Sequence, residues 1–129
     1  MTVNELNEKF EFRDIRPEEA GQAAEIERVC FPPNEACTEK MMHERVAAVP
    51  DLFLVAADRV TGRIAGFLNG LATDEQVFRD EFFTDAGLHE PQGVNIMLLG
   101  LDVLPEYRGQ GLASEIMRQY KQREARRGR

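Results

Sequence analysis

Two cysteines, two histidines and no apolar run of membrane-spanning length narrow what this 129-residue chain can be. Cys30 and Cys37 are too few to staple a disulfide scaffold, and reduced thiols fit a cytoplasmic protein, the expected location. A membrane-spanning helix needs roughly 20 consecutive apolar residues, and no stretch approaches that. The first nine residues, Met1 to Lys9, are polar and acidic, without the basic-then-apolar order of a signal peptide. Neither a Gly-Lys-Ser/Thr ending nor a G-x-G-x-x-G after the first apolar segment is present, which argues against the usual nucleotide loops. There is no internal repeat, low-complexity tract or linker, so residues 1–129 read as one domain.

What is present suits a soluble globular core, with 43% hydrophobic and 30% charged residues. The net charge of −7 is unevenly spread. Residues 1–93 hold 9 Lys/Arg and 19 Asp/Glu, a net of −10, whereas residues 94–129 hold 7 and 4, a net of +3. An acidic body disfavours nucleic acid as a partner and favours cationic ligands, while the basic end favours an anionic one.

Hydrophobic periodicity predicts the elements. Phe10 to Arg16 alternates apolar and charged residues, as a half-buried strand does. Pro17 starts a helix running to about Cys30, with Glu18 and Glu19 in its first turn and Ala20, Ala23, Ala24, Ile26 and Val29 as its apolar stripe. Phe31-Pro32-Pro33-Asn34 breaks it. Thr38 caps a second helix that Pro50 ends near Val49. Leu52–Ala57 and Arg63–Ala72 form a hairpin, with Gly66 and Gly70 marking a bulge or a close backbone approach. The acidic stretch from Thr73 to Pro91 carries Val77, Phe78, Phe82 and Phe83 as a short helix laid on the core. Val94–Val103 reads as a central strand buried on both faces. Gly111 to about Arg127 is an amphipathic helix with Leu112, Ala113, Ile116, Met117 and Tyr120 on one face and Gly128 as its cap.

The informative join lies between the last strand and the last helix. Pro105 takes the chain out of the strand, and Gly109 and Gly111 open a turn in which a ligand can approach the backbone. The first turn of the helix then presents free N–H groups at the positive end of its dipole, with the Arg108 guanidinium beside them. This is phosphate or pyrophosphate chemistry. A strand–helix turn with no ligand is the alternative.

The string Leu101-Asp-Val-Leu-Pro-Glu-Tyr-Arg-Gly-Gln-Gly-Leu-Ala113 resembles the acyl-coenzyme-A signature of the GCN5-related N-acetyltransferases (GNAT). Arg108, Gly111 and Ala113 meet the family's R/Q-x-x-G-x-G/A pattern. The resemblance implies an α/β (α+β) fold: a mixed, mainly antiparallel sheet flanked by helices. It implies acetyl-CoA as co-substrate, no metal, and transfer of an acetyl group to a primary amine of a small molecule. Gly109, Gln110, Gly111, Leu112, Ala113 and Ser114 would donate to the pyrophosphate, with Arg108 adding charge. The strand segment Leu101, Asp102 and Val103 would lie along the pantetheine arm, Leu101 and Val103 pairing through their main chains and the Asp102 side chain facing away.

Within the family, Glu27-Arg-Val-Cys-Phe31 and the proline-containing loop look most like the arylalkylamine N-acetyltransferases. Phe31 falls where that subfamily places an aromatic residue of the amine pocket; a plain core aromatic is the alternative. That subfamily uses a His-x-His pair as base, and the matching positions here are Met97 and Leu99, which accept no proton. Of the remaining candidates, Glu35, His43, His89 and Glu90, Glu35 is best placed in the loop after Phe31, while His43 and His89 read as surface groups. Acylation of Cys30 or Cys37 is disfavoured, because the family transfers directly from the thioester.

The family domain continues with further strands and a helix that these 129 residues lack. Three readings stay open: a shortened chain, a sheet completed by a homodimer or partner chain, or a module that binds acyl-CoA without turnover.

Overall fold

In the computed structural model, which describes all 129 residues, the chain opens with a helix, α1 (Val3–Lys9). The sequence reading had only a polar tail there. The signal was a capping box: Thr2 Oγ1 accepts from the Glu5 N–H at 3.1 Å, and Glu5 Oε1 accepts from the Thr2 N–H at 3.3 Å. Leu6 is the helix's one buried residue, and it ties α1 to the core.

Strand β1 (Phe10–Asp14) follows, then a 3-10 turn at Pro17–Glu19 and α2 (Ala20–Cys30). The proline thus begins a tighter turn ahead of the α-helix. Ala20, Ala23, Ala24 and Ile26 are buried as the stripe predicts, but Val29 is 50% exposed. Helix α3 (Glu39–Ala48) starts at Thr38, whose hydroxyl accepts from the Met41 N–H at 3.2 Å. Strands β2 (Phe53–Asp58) and β3 (Ile64–Thr73) form the expected antiparallel hairpin, closed through Gly62 at φ +77°.

In the acidic stretch only Glu81–Thr84, α4, is α-helical, and there Phe82 is buried while Val77, Phe78 and Phe83 remain exposed. Strand β4 (Asn95–Val103) and α5 (Leu112–Arg126) complete the chain. At the end of α5 the N–H of Gly128, at φ +87°, donates to Ala125, and the Arg129 N–H reaches back to Glu124.

The sheet order is β1-β2-β3-β4, antiparallel throughout. Alternation along the strands splits the core into two layers. Leu54, Ala56, Ala65 and Leu68 pack with α1 and α5, through Leu6, Leu112, Ile116 and Tyr120. Phe53, Val55, Ile64 and Phe67 pack with α2 and α3, through Ala23, Ala24, Met42 and Val46.

Strand β4 is the edge of this sheet, not a central strand buried on both faces. It pairs only with β3, and Leu98 is 39% exposed. Two glycines of β3 let β4 close in. A Cβ on Gly66 would lie 2.5 Å from the Asp102 carbonyl oxygen, and one on Gly70 would lie 2.7 Å from that of Met97. The pairing slips there: Asn69 faces Gly100 and Gly70 faces Leu98, so Leu99 is an extra residue that bulges from β4.

Candidate functional site

The turn between β4 and α5 is built by two left-handed glycines, Gly109 at φ +79° and Gly111 at φ +87°. Tyr107 and Arg108 still donate their N–H groups to Leu104 and Pro105. From Gly109 through Ser114 no backbone N–H has a partner in the chain, and no side chain caps α5. A run of unsatisfied donors at a helix N-terminus is an anion-binding arrangement, reinforced by the helix dipole. The loop is braced from behind. Gln110 Nε2 donates to the Tyr107 carbonyl at 2.9 Å, and Lys9 Nζ donates to Gln110 Oε1 at 3.1 Å.

The outer edge of β4 leads into this turn. The Val103 carbonyl points away from β3 and accepts from Arg108 Nε at 2.9 Å, while the next N–H, that of Leu104, donates to Ala65 in β3. By the alternation of an antiparallel ladder, Leu101 and Val103 turn their main chains outward. Asp102 does not share that edge. Its carbonyl is directed at β3, and its side chain, 1% exposed, is packed toward α2 and α3. A shallow groove of about 480 Å³ runs between β4 and α5, lined by Leu101, Ala113, Ser114, Met117, Arg118 and Lys121. Two cations and open donors suit a polyanionic ligand. Arg108 also reaches the Cys30 thiol, its Nη2 lying 3.7 Å from Sγ.

A second cavity, of about 350 Å³, opens on the opposite face of the sheet. Phe31, Glu35, Cys37, Met41 and Phe83 form its walls, Leu99 enters it at the bulge, and Glu27 and Arg45 lie deepest. The structure therefore brings Phe31 and Glu35 together with Leu99. Met97 is buried elsewhere, against Leu71 and Phe82. His43 is exposed as read from sequence. His89 is not a plain surface group: its Nδ1 accepts from the Ala72 N–H at 3.0 Å, and burial lowers its pKa. Glu90 secures the end of β3, accepting from the Thr73 hydroxyl and the Asp74 N–H.

Sequence reasoning missed the polar group beneath this cavity. Glu27 of α2, Arg45 of α3, Asn69 of β3 and Asp102 of β4 are all at least nine-tenths buried. Glu27 Oε2 accepts from the Cys37 N–H at 2.8 Å. The Arg45 guanidinium is held by the Phe83 carbonyl at 2.6 Å and by Asn69 Oδ1 at 3.4 Å. Neither Asp102 oxygen has a donor. The group facing it is another acceptor, Glu27, so only a proton on one of the two can join them. Burial, then the shared proton and the negative charge of Glu27, push the Asp102 carboxyl up to about 9, against an opposing pull from Arg45. The signal was a charged residue on an otherwise apolar face of each of three elements.

Residues 20–128 match the Acetyltransferase (GNAT) family, and the chain belongs to it. No curated protein sequence matches. Among solved structures, the loading GNATL domain of CurA from Lyngbya majuscula is 19% identical, with a TM-score of 0.77 over 88% of this chain and 57% of that one. The GphF GNAT-like decarboxylase in complex with isobutyryl-CoA is 24% identical, with a TM-score of 0.74 over 85% and 56%. The N-acetyltransferase YhbS from Escherichia coli in complex with CoA is 22% identical, with a TM-score of 0.68 over 93% and 58%. At these identities the likeness is one of fold. The chain spans a little over half the length of these structures. The finer resemblance to arylalkylamine acetyltransferases gains no support from them.

Proposed function

We propose that this chain binds an acyl-CoA, acetyl-CoA first among them, and directs its acyl group to the primary amine of a small cationic molecule. The observation that carries the reading is the uninterrupted run of unpartnered N–H groups from Gly109 to Ser114 at the head of α5. A diphosphate supplies several acceptor oxygens and the negative charge that this helix end favours. The groove with Arg118 and Lys121 continues the positive surface. The outward main chain of Leu101 and the outward N–H of Val103, whose carbonyl is already held by Arg108 and Cys30, offer an edge on which an extended pantetheine can add like a strand. The thioester then arrives beside Leu99, where the second cavity begins. Phe31 and Glu35 line that cavity and would meet the amine. The acidic residues between Asp74 and Glu90 favour a cationic acceptor over an anionic one. Two CoA-bound neighbours, YhbS and GphF, agree with the cofactor half of the reading.

A second reading, acyl-CoA binding without turnover, draws on Met97 and Leu99, which offer no base on β4. Freeing an alkylamine of its proton at neutral pH costs roughly 4–5 kcal/mol, so some proton acceptor is needed.

Calorimetry tests the cofactor claim. CoA should bind with measurable heat, and pantetheine, which lacks the diphosphate, should bind much more weakly; equal affinities would overturn the pyrophosphate assignment. Free-thiol detection with acetyl-CoA and a panel of amines then separates the two readings. CoA binding with no thiol release from any amine favours the binding module.

A further inference from the structure

The buried Glu27–Asp102 pair has a geometry that a structural role alone does not explain. Gly100 follows the bulged Leu99 on β4, and the place its Cβ would occupy is ringed by three polar atoms. Asp102 Oδ1 lies 3.4 Å from that point, Asn69 Nδ2 3.5 Å and Glu27 Oε1 3.9 Å. Glu27 belongs to the lining of the 350 Å³ cavity, and the almost fully buried Asp102 and Asn69 lie behind it. One Glu27 oxygen is committed to the Cys37 N–H. Oε1 is not, and Asp102 behind it has no donor on either oxygen although it is 1% exposed. Two acceptors thus converge on one point, and the nearby Arg45 is turned away to Asn69 and the Phe83 carbonyl. The one donor at this point, Asn69 Nδ2, is engaged with the Gly100 carbonyl at 3.4 Å, and a further, cationic donor satisfies both charge and hydrogen bonding.

We propose that Glu27, positioned by Asp102, is the cation-receiving group of the acceptor cavity, and that the ammonium head of a primary amine seats against Glu27 Oε1 beside Gly100. This rests on the acyl-transfer reading for the identity of the acceptor, not for the existence of the site. The walls sort the substrate: Phe31, Met41, Phe83 and Leu99 accept a short apolar body behind the ammonium. Asp102 is a positioning residue. It acts through Glu27: a cation at Oε1 favours the doubly ionised pair, and the shared proton is released to solvent as the cation binds. The other titratable groups facing the pair are Arg45 and the thiols of Cys37 and Cys30. Burial pushes Cys37 up to about 11 and also raises Cys30, so both thiols stay neutral at pH 7. The seat puts a carboxylate against the nitrogen whose proton has to leave, a role that Met97 and Leu99 cannot fill.

The test uses the whole chain, with Glu and Asp side-chain carboxyls labelled with ¹³C, saturated with CoA and titrated with n-butylamine. n-Butanol, which has the same body and no charge, is the control. The Glu27 and Asp102 resonances should move with butylamine and not with butanol. In Glu27→Gln, which keeps an acceptor for the Cys37 N–H, butylamine affinity should fall by about tenfold or more while CoA affinity holds. Unmoved Glu27 and Asp102 resonances in the wild type at saturating butylamine overturn the proposal, whether or not the variant folds. So does a Glu27→Gln protein that binds butylamine as the wild type does. Thiol release from acetyl-CoA in the same samples reports separately on acyl transfer: shifts without thiol leave the seat intact and remove the transferase reading. Thiol release with unmoved carboxyls does the reverse.

Discussion

Replacing Asp102 with asparagine removes the one carboxyl whose proton the fold holds most firmly, and the consequence is a change in how stability depends on pH. The unfolded chain ionises this group near the ordinary aspartate value of about 3.9. The folded chain holds its proton up to about 9. A raised folded value means that the contribution is intact below about pH 3.9, declines as pH rises, and is gone above about pH 9. Inside that window wild-type stability falls as pH rises, by at most about 1.4 kcal/mol per pH unit for the one proton that the folded pair holds and the unfolded chain does not. The amide that replaces the carboxyl in Asp102→Asn has no proton to lose, and it can donate to Glu27 as the protonated acid does. The variant should therefore match the wild type near pH 4 and exceed it by a few kcal/mol at pH 7. Urea midpoints for both proteins at pH 5, 6, 7 and 8, with an unchanged slope, measure the difference. A gap that stays constant over this range, or narrows as pH rises, refutes the buried neutral carboxyl.

Two other substitutions probe the turn between β4 and α5 and the core. Gly111→Ala meets open space, its nearest neighbour being Leu6 Cδ1 at 4.0 Å, so its cost comes from φ +87° alone. The fold should lose about 1–2 kcal/mol in urea denaturation, and CoA affinity should fall roughly 10- to 100-fold in calorimetry as one donor to the diphosphate is misdirected; unchanged affinity would remove the loop from the site. Tyr120→Phe deletes a buried hydroxyl that donates to the Leu52 carbonyl at 3.0 Å. It should cost about 1–3 kcal/mol, read as a lowered thermal midpoint with CoA binding preserved.

The geometry of the turn between β4 and α5 was legible because its determinants are local. Glycine spacing, the proline exit and the apolar face of α5 all fall within Leu101–Tyr120, and the structure sets Gly109 and Gly111 in the left-handed region that such a turn needs. The edge position of β4 was not legible in the same way, since an apolar run reports burial preference and not which neighbours a strand finds. Helix α1 was missed although its capping box is a sequence signal, because the residues after Thr2 lack an apolar stripe and only Leu6 is buried. The buried polar group lies between these cases. Glu27 continues the 20, 23, 24 stripe of α2, Arg45 sits between Met42 and Val46 on α3, and Asp102 alternates away from the α5 side of β4. Each is a charge in the phase of an apolar face. Helices α2 and α3 cover one face of the sheet, and the Asp102 side chain points to that face, so the three charges had to meet. A charge on a core-facing stripe is costly alone and tolerable only with partners from the neighbouring elements. Three such residues on three elements are therefore evidence for one another.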